Sequence, residues 1–239
     1  MDVQNHQLRF RNMNVSTDCV FFAIGLFLSL ACGQEKVLGG GPRPIPGGES
    51  HYAKLTTNKV HYVTVGQGAH TLVFVHGWAG NTTFWFEQVL ALKEKARLIL
   101  IDLPGHGQSD KPDVDYTMDY FARGVLAAMR DAGSAKVTLI GHSMGVPVIC
   151  RVYAQAPENV SGLVAVDGFL RRPDFNSPTR DQFLAGFRTP EYREHVSRFI
   201  GSMFRDPATS ELRDGVVAEV LKTPQHVLSS SLQNIFDPK

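Results

Sequence analysis

Cysteine is scarce in this chain of 239 residues: three are present, and Cys19 and Cys32 lie in or beside an apolar segment near the N-terminus. Three cysteines do not build a disulfide framework, so an apolar core has to hold the fold, and Cys150 reads as a small buried apolar residue. Charge of one sign is equally scarce. The formal net charge is +1 and no long block of like charge occurs, which excludes the footprint of a nucleic-acid partner or a strongly acidic one. The N-terminal apolar run, residues 19–31, is too short for a bilayer span of about 20 residues. What the chain does have is 43% hydrophobic content, enough for one substantial core in one or two domains.

Residues 1–18 are polar and include Arg9 and Arg11, and the apolar run ends in Ser29-Leu30-Ala31, small residues at the spacing a signal peptidase reads. Residues 1–31 therefore read as a signal peptide, and the protein as exported: periplasmic, secreted or lipid-anchored. Cys32 resembles a lipoprotein acylation site, the one route by which a membrane would become a partner. Residues 32–48, with Gly39-Gly40-Gly41 and prolines at 42, 44 and 46, read as a linker that sustains neither helix nor sheet.

The folded part is expected from residue 49. Residues 51–55 and 60–65 have strand composition around Thr57-Asn58-Lys59, which predicts an antiparallel hairpin at a sheet edge. Apolar runs at 71–75, 98–101 and 163–166, and the run leading into Gly141, suit strands buried on both faces. Helical patterns lie between them, at 82–95, 116–131 and 144–154. Buried strands alternating with helices imply an α/β fold with a mostly parallel sheet, in which ligands bind beyond the carboxyl ends of the strands.

The unusual motifs sit at those ends. Gly141-His142-Ser143-Met144-Gly145 joins a strand to a helix and reads as a nucleophile elbow, with Ser143 at the strained tip. Gly141 and Gly145 are required where strand and helix backbones meet too closely for side chains. Ser143 is the candidate nucleophile, at a helix N-terminus that favours developing negative charge. After 71–75 comes His76-Gly77-Trp78, and after 98–101 comes Asp102-Leu103-Pro104-Gly105-His106-Gly107-Gln108-Ser109.

These three motifs, in this order, resemble the α/β-hydrolase superfamily, from about residue 49 onward. Within it the chain is similar to small capped carboxylesterases and to carbon–carbon bond hydrolases. The resemblance implies a sheet flanked by helices (49–167) with a helical cap or lid (168–239), and acyl transfer through an acyl-enzyme on Ser143. It implies an oxyanion hole from the backbone N–H groups of Trp78 and Met144. The implied substrate is a small-molecule ester, and the chemistry calls for no cofactor and no metal. His76, His106 and His142 fall in motifs where the family uses them structurally, and Asp102 orders its loop. Asp167, at the end of the run 163–166, is the possible triad acid. A serine at the tip sets the chain apart from haloalkane dehalogenases and epoxide hydrolases, which carry a carboxylate there. A carbon–carbon bond hydrolase, or a non-catalytic binding protein on the same fold, are the alternative readings.

The cap pattern has Thr189-Pro190-Glu191 as a helix start, an apolar stripe Val196, Phe199, Ile200, Met203 and Phe204, Ser210 as a cap and Thr223-Pro224 as a further start. Arg171 and Arg172 read as part of a solvated face. Downstream of Asp167 the only histidines are His195 and His226, both in helical patterns, and no further buried-strand run follows. The expectation is a truncated hydrolase without the family's last two strands and their acid and histidine, leaving 163–166 as an uncovered apolar edge.

Overall fold

The computed structural model describes residues 44–170, 177–204, 206 and 209–236. The expected signal peptide, the acylation site at Cys32, the linker up to residue 43, and Arg171 and Arg172 lie outside the described residues.

Strands β1 (Glu49–Leu55) and β2 (Asn58–Val65) form the expected antiparallel hairpin. Its turn is tighter than Thr57-Asn58-Lys59: Asn58 already pairs with Leu55, and Thr56 adopts a φ of 53°. A two-residue hairpin loop demands such a positive φ, so Asn58 and Lys59 belong to the strand. Four more strands follow, β3 (Thr71–Val75), β4 (Arg97–Ile101), β5 (Val137–His142) and β6 (Val160–Val166). The sheet order is β1-β2-β4-β3-β5-β6. β2 is antiparallel to β4, while β4, β3, β5 and β6 run parallel to one another.

The continuous apolar runs divide by alternation, as a sheet covered on both faces requires. Val73, Val75, Ile99, Ile101 and Leu139 pack with Phe121, Val125 and Met129 of α2 (Met118–Asp131) and Val148, Ile149 and Val152 of α3 (Gly145–Gln155). Phe74, Leu98 and Leu100 face the other way, against Trp85 and Val89. Val89 belongs to α1 (Phe86–Leu92), which is shorter than the helix expected over 82–95. Asn81 accepts from the Thr83 amide at 2.9 Å and starts the segment as a 3₁₀ turn, Thr82–Trp85. Each fully buried Leu or Ile here contributes roughly 1.5–3 kcal/mol.

Helices α4 (Ser177–Ala185), α5 (Tyr192–Gly201), α6 (Ser210–Val220) and α7 (Gln225–Phe236) follow the sheet. They share a cluster built on Leu184, Phe187, Val196, Ile200, Val220 and Leu228, which also takes in Ala79 from the loop after β3. α5 does not use Thr189 as its side-chain cap. The Thr189 hydroxyl donates back to the Gly186 carbonyl, and Glu191 occupies the cap position. Ser210 likewise lies inside α6, one residue after the cap at Thr209. The stripe on α5 ends early, since Met203 lies past the helix and is 55% exposed. No described helix is long and apolar enough to cross a membrane.

β6 is the outermost described strand on its side, and Leu163 and Val164 are 42% and 43% exposed. The apolar edge expected at 163–166 is therefore present among the described residues. At the carboxyl ends the register is even: Val75 pairs with Ile101 and with Gly141, and His142 pairs with Val166. His76, Asp102, Ser143 and Asp167 consequently leave the sheet at one rim.

Candidate active site

The turn from β5 into α3 has the geometry of an elbow. Ser143 adopts a φ of 50°, a left-handed conformation that costs a non-glycine residue about 1–3 kcal/mol. The surrounding backbone holds it there. The Ser143 amide donates to the Val166 carbonyl at 3.0 Å, and the Ser143 carbonyl accepts from Val146 at 3.0 Å. A Cβ on Gly141 would lie 2.5 Å from the Gly145 carbonyl oxygen, and one on Gly145 would lie 2.3 Å from the Val75 carbonyl oxygen. Strand, helix and neighbouring strand are in backbone contact, which excludes any side chain at either position.

The loop after β3 passes close by. A Cβ on Gly77 would come within 3.1 Å of the Ser143 Cβ, and Trp78 is the next residue of that loop. Neither the Trp78 nor the Met144 amide donates to a described residue. Ala79, with a φ of 57°, and the bond from the Gly80 amide to the Gly77 carbonyl, 3.1 Å, close the turn that presents Trp78. The Trp78 side chain packs into the helical cluster of α4 to α7. Its indole N–H donates to the Leu228 carbonyl of α7 at 3.0 Å, and its ring meets Phe187 and Phe199 edge-on at 5.5 and 5.8 Å.

The three motif histidines are occupied in packing. His76 is buried; its Nδ1–H donates to the Gly77 carbonyl at 2.7 Å and its Nε2 accepts from the Leu103 amide at 3.0 Å. Burial pushes its pKa down, which keeps the ring neutral as that pair of bonds requires. His106 is buried beside His76 and Phe121, donates to the Pro104 carbonyl at 3.0 Å, and burial pushes it down to about 3. His142 turns its ring edge-on to Trp85 at 6.3 Å; burial lowers its pKa, opposed by the field of Asp167.

Asp102 is a buried carboxylate. Oδ1 accepts from the Thr82 amide at 2.7 Å, and Oδ2 accepts from the Gln108 amide at 2.8 Å and from His61 Nδ1 at 2.7 Å. Burial alone would raise its pKa, but the bonds from His61 and Gln108 outweigh it and hold the carboxyl below its ordinary value. Asp102 thus ties its own loop to the 3₁₀ turn and to β2. His61 is the partner that sequence reasoning missed. The available signal was a histidine inside the apolar alternation of Val60-His61-Tyr62-Val63, a polar group that a buried strand face tolerates only with a partner.

Asp167 follows Val166 at the end of β6 with a φ of 44°, exposed and near enough to act electrostatically on His142. His195 lies on α5, where its Nδ1 is 3.3 Å from the Glu191 carbonyl, and His226 lies on α7 with its ring 6.1 Å from that of Tyr116. Among the described residues, none hydrogen-bonds the Ser143 hydroxyl, and no group of three or more His, Cys, Asp or Glu could hold a metal ion. A cavity of about 260 Å³ between the core loops and α6 is lined by Asn81, Asp102, Gln108, Lys111, Glu219 and Lys222 among others. Asn81 bonds Glu219 across it at 2.8 Å, and Ser143 does not border it.

Known proteins are similar to this chain in sequence and in fold. The chain is 34% identical over 143 residues to a dihydrolipoyllysine-residue acetyltransferase component of an acetoin cleaving system from Pseudomonas putida, a match covering 60% of this chain and 38% of that protein. It is 33% identical over 147 residues to a pimeloyl-[acyl-carrier protein] methyl ester esterase from Nitrosomonas europaea, covering 59% of this chain and 56% of the esterase. The chain thus spans between about two fifths and somewhat over half of these relatives' lengths. Among solved structures, an esterase from Exiguobacterium antarcticum superposes with a TM-score of 0.70 at 20% identity, covering 79% of this chain and 74% of that one. The family model for the alpha/beta hydrolase fold matches residues 70–221. That span runs from the start of β3 through the elbow to the end of α6, and the chain belongs to the α/β-hydrolase family.

Proposed function

We propose that this protein is a serine hydrolase acting on a small carboxylic ester through an acyl-enzyme on Ser143. The observation that carries the reading is Ser143 at a φ of 50° on the turn from β5 into α3, with the Gly77 loop packed against its Cβ and the amides of Met144 and Trp78 donating to no described residue. Ser143 Oγ attacks the ester carbonyl, its proton passes to a base, and the carbonyl oxygen becomes an oxyanion facing those two amides. Collapse expels the alcohol, which takes up a proton, and water then releases the acid by the same steps. Each oxyanion donor is worth about 2.7–4 kcal/mol of transition-state stabilisation. The similarity to esterases supports the ester class, and the helical cluster over Trp78 supports an apolar acyl or alcohol group.

The base is the part of the machinery that no described histidine supplies, because none bonds the Ser143 hydroxyl. The test exploits this. Hydrolysis of p-nitrophenyl acetate by the 239-residue chain should be slow in plain buffer and should rise when imidazole is added as a diffusible base. The increase, corrected for imidazole alone, should vanish in Ser143→Ala. An equal increase in wild type and Ser143→Ala would remove Ser143 from the mechanism.

A further inference from the structure

The bonds that hold Asp102 continue outward to the far edge of the sheet. Asp102 Oδ2 is 2.7 Å from His61 Nδ1, and His61 Nε2 is 2.8 Å from Ser50 Oγ. His61 and Asp102 are buried, whereas Ser50, on β1, is exposed. A carboxylate only accepts, so Nδ1 carries a proton, and with that single proton on the ring the Nε2 lone pair faces the Ser50 hydroxyl. The amides of Thr82 and Gln108 keep the carboxylate from turning away. Anchored carboxylate, oriented imidazole and hydroxyl stand in the sequence that activates a serine.

None of these groups serves Ser143. Ser143 follows β5, four strand positions from β1, about 19 Å across the sheet at ~4.8 Å per strand. The setting of Ser50 is also suited to an incoming acyl donor. Tyr52 is 50% exposed with its ring 5.1 Å from that of His61, an apolar wall beside the hydroxyl. β1 is the outermost described strand on its side, and alternate amides of such a strand point away from the sheet. The amide of either Ser50 or His51 therefore faces outward next to Oγ.

We propose that Ser50 is a second nucleophile, independent of Ser143, that accepts acyl groups from small activated aryl esters. Ser50 Oγ bonds to the acyl carbon as its proton moves to His61 Nε2. The bond from that carbon to the aryl oxygen breaks, and the departing phenolate takes the proton from Nε2. The product is an ester on Ser50 and a free phenol, with the imidazole returned to its starting state.

The experiment uses the full Ser143→Ala chain, incubated with p-nitrophenyl acetate, with acetyl adducts followed by peptide mapping and mass spectrometry. Ser161 and Ser202 are internal controls, exposed serines whose hydroxyls bond Thr138 and the Phe199 carbonyl rather than a histidine. General-base assistance is worth about 10²–10⁴-fold, so Ser50 should acetylate at least roughly 100-fold faster than either control. A ratio below about tenfold overturns the proposal, and a higher one supports it. His61→Gln should bring Ser50 down to the rate of Ser161. If that variant does not show native circular dichroism, the ratio in Ser143→Ala alone decides.

Discussion

Asp102→Asn removes one charge from the centre of the buried network while keeping its shape. The carboxylate receives three donors, from Thr82 at 2.7 Å, Gln108 at 2.8 Å and His61 at 2.7 Å. With its carbonyl oxygen in the Oδ1 position, the Asn side chain keeps the Thr82 bond but turns an NH₂ group toward the other two. His61 can adapt by moving its proton to Nε2, whereas the Gln108 amide cannot, and one donor is left facing another. Bonds to a charged group are worth about 1.5–3 kcal/mol each, and breaking a buried pair by removing one partner costs about 3–5 kcal/mol. For a chain of this size each kcal/mol lowers Tm by about 2–4 °C, so the melting temperature at pH 7 should fall by roughly 6–20 °C. The pH dependence has a definite sign. Because the native carboxyl lies below its ordinary value, its contribution is complete above the unfolded pKa of about 4 and is lost as pH falls through the native value. The gap between wild type and variant, followed by circular dichroism melts, should narrow on acidification below about pH 4. A loss of under ~3 °C at pH 7, or a gap that stays constant into acid, would refute the assignment of this stability to the charge.

Gly145→Ala places a Cβ 2.3 Å from the Val75 carbonyl oxygen and should cost about 1–3 kcal/mol or more by overpacking, read as a lower urea midpoint; an unchanged midpoint would show the elbow to be looser than described. Trp78→Phe deletes the 3.0 Å bond to the Leu228 carbonyl while leaving a ring beside Phe187 and Phe199. It should cost about 1 kcal/mol and speed hydrogen exchange in α7, so exchange equal to wild type would count against the tie. Val164→Lys puts a charge on the exposed outer strand and should reduce concentration-dependent light scattering; identical scattering would mean that β6 is not the associating edge.

Much of the fold was legible because apolar periodicity is local. The runs at 71–75 and 98–101 announced strands covered on both faces, and the glycines around Ser143 announced a backbone contact that no side chain survives. What could not be read was set by partners that composition alone does not name. Asn58 looked like a turn residue, yet the cross-strand register placed it opposite Leu55. Thr189 carried the composition of a helix cap, but its hydroxyl had a nearer acceptor in the Gly186 carbonyl. The loop His76-Gly77-Trp78 was legible as a motif, whereas the contact made by the Trp78 side chain depends on a carbonyl 150 residues later. Ser50, His61 and Asp102 are separated by 11 and 41 residues, and no spacing rule joins them before β1, β2 and β4 are laid side by side.

The bond from Trp78 to α7 ends on a main-chain oxygen. A carbonyl is offered by every amino acid, so residue 228 can change its side chain without withdrawing the acceptor. Helices around it can diverge, shrink or be exchanged between relatives, provided that one turn of backbone still arrives at the same place. The core thereby recognises its cover by position rather than by identity. Recombining covers from different members of the family onto this sheet should preserve that anchorage, and with it the placement of the loop that presents the Trp78 amide, while the side chains facing an incoming molecule are replaced wholesale.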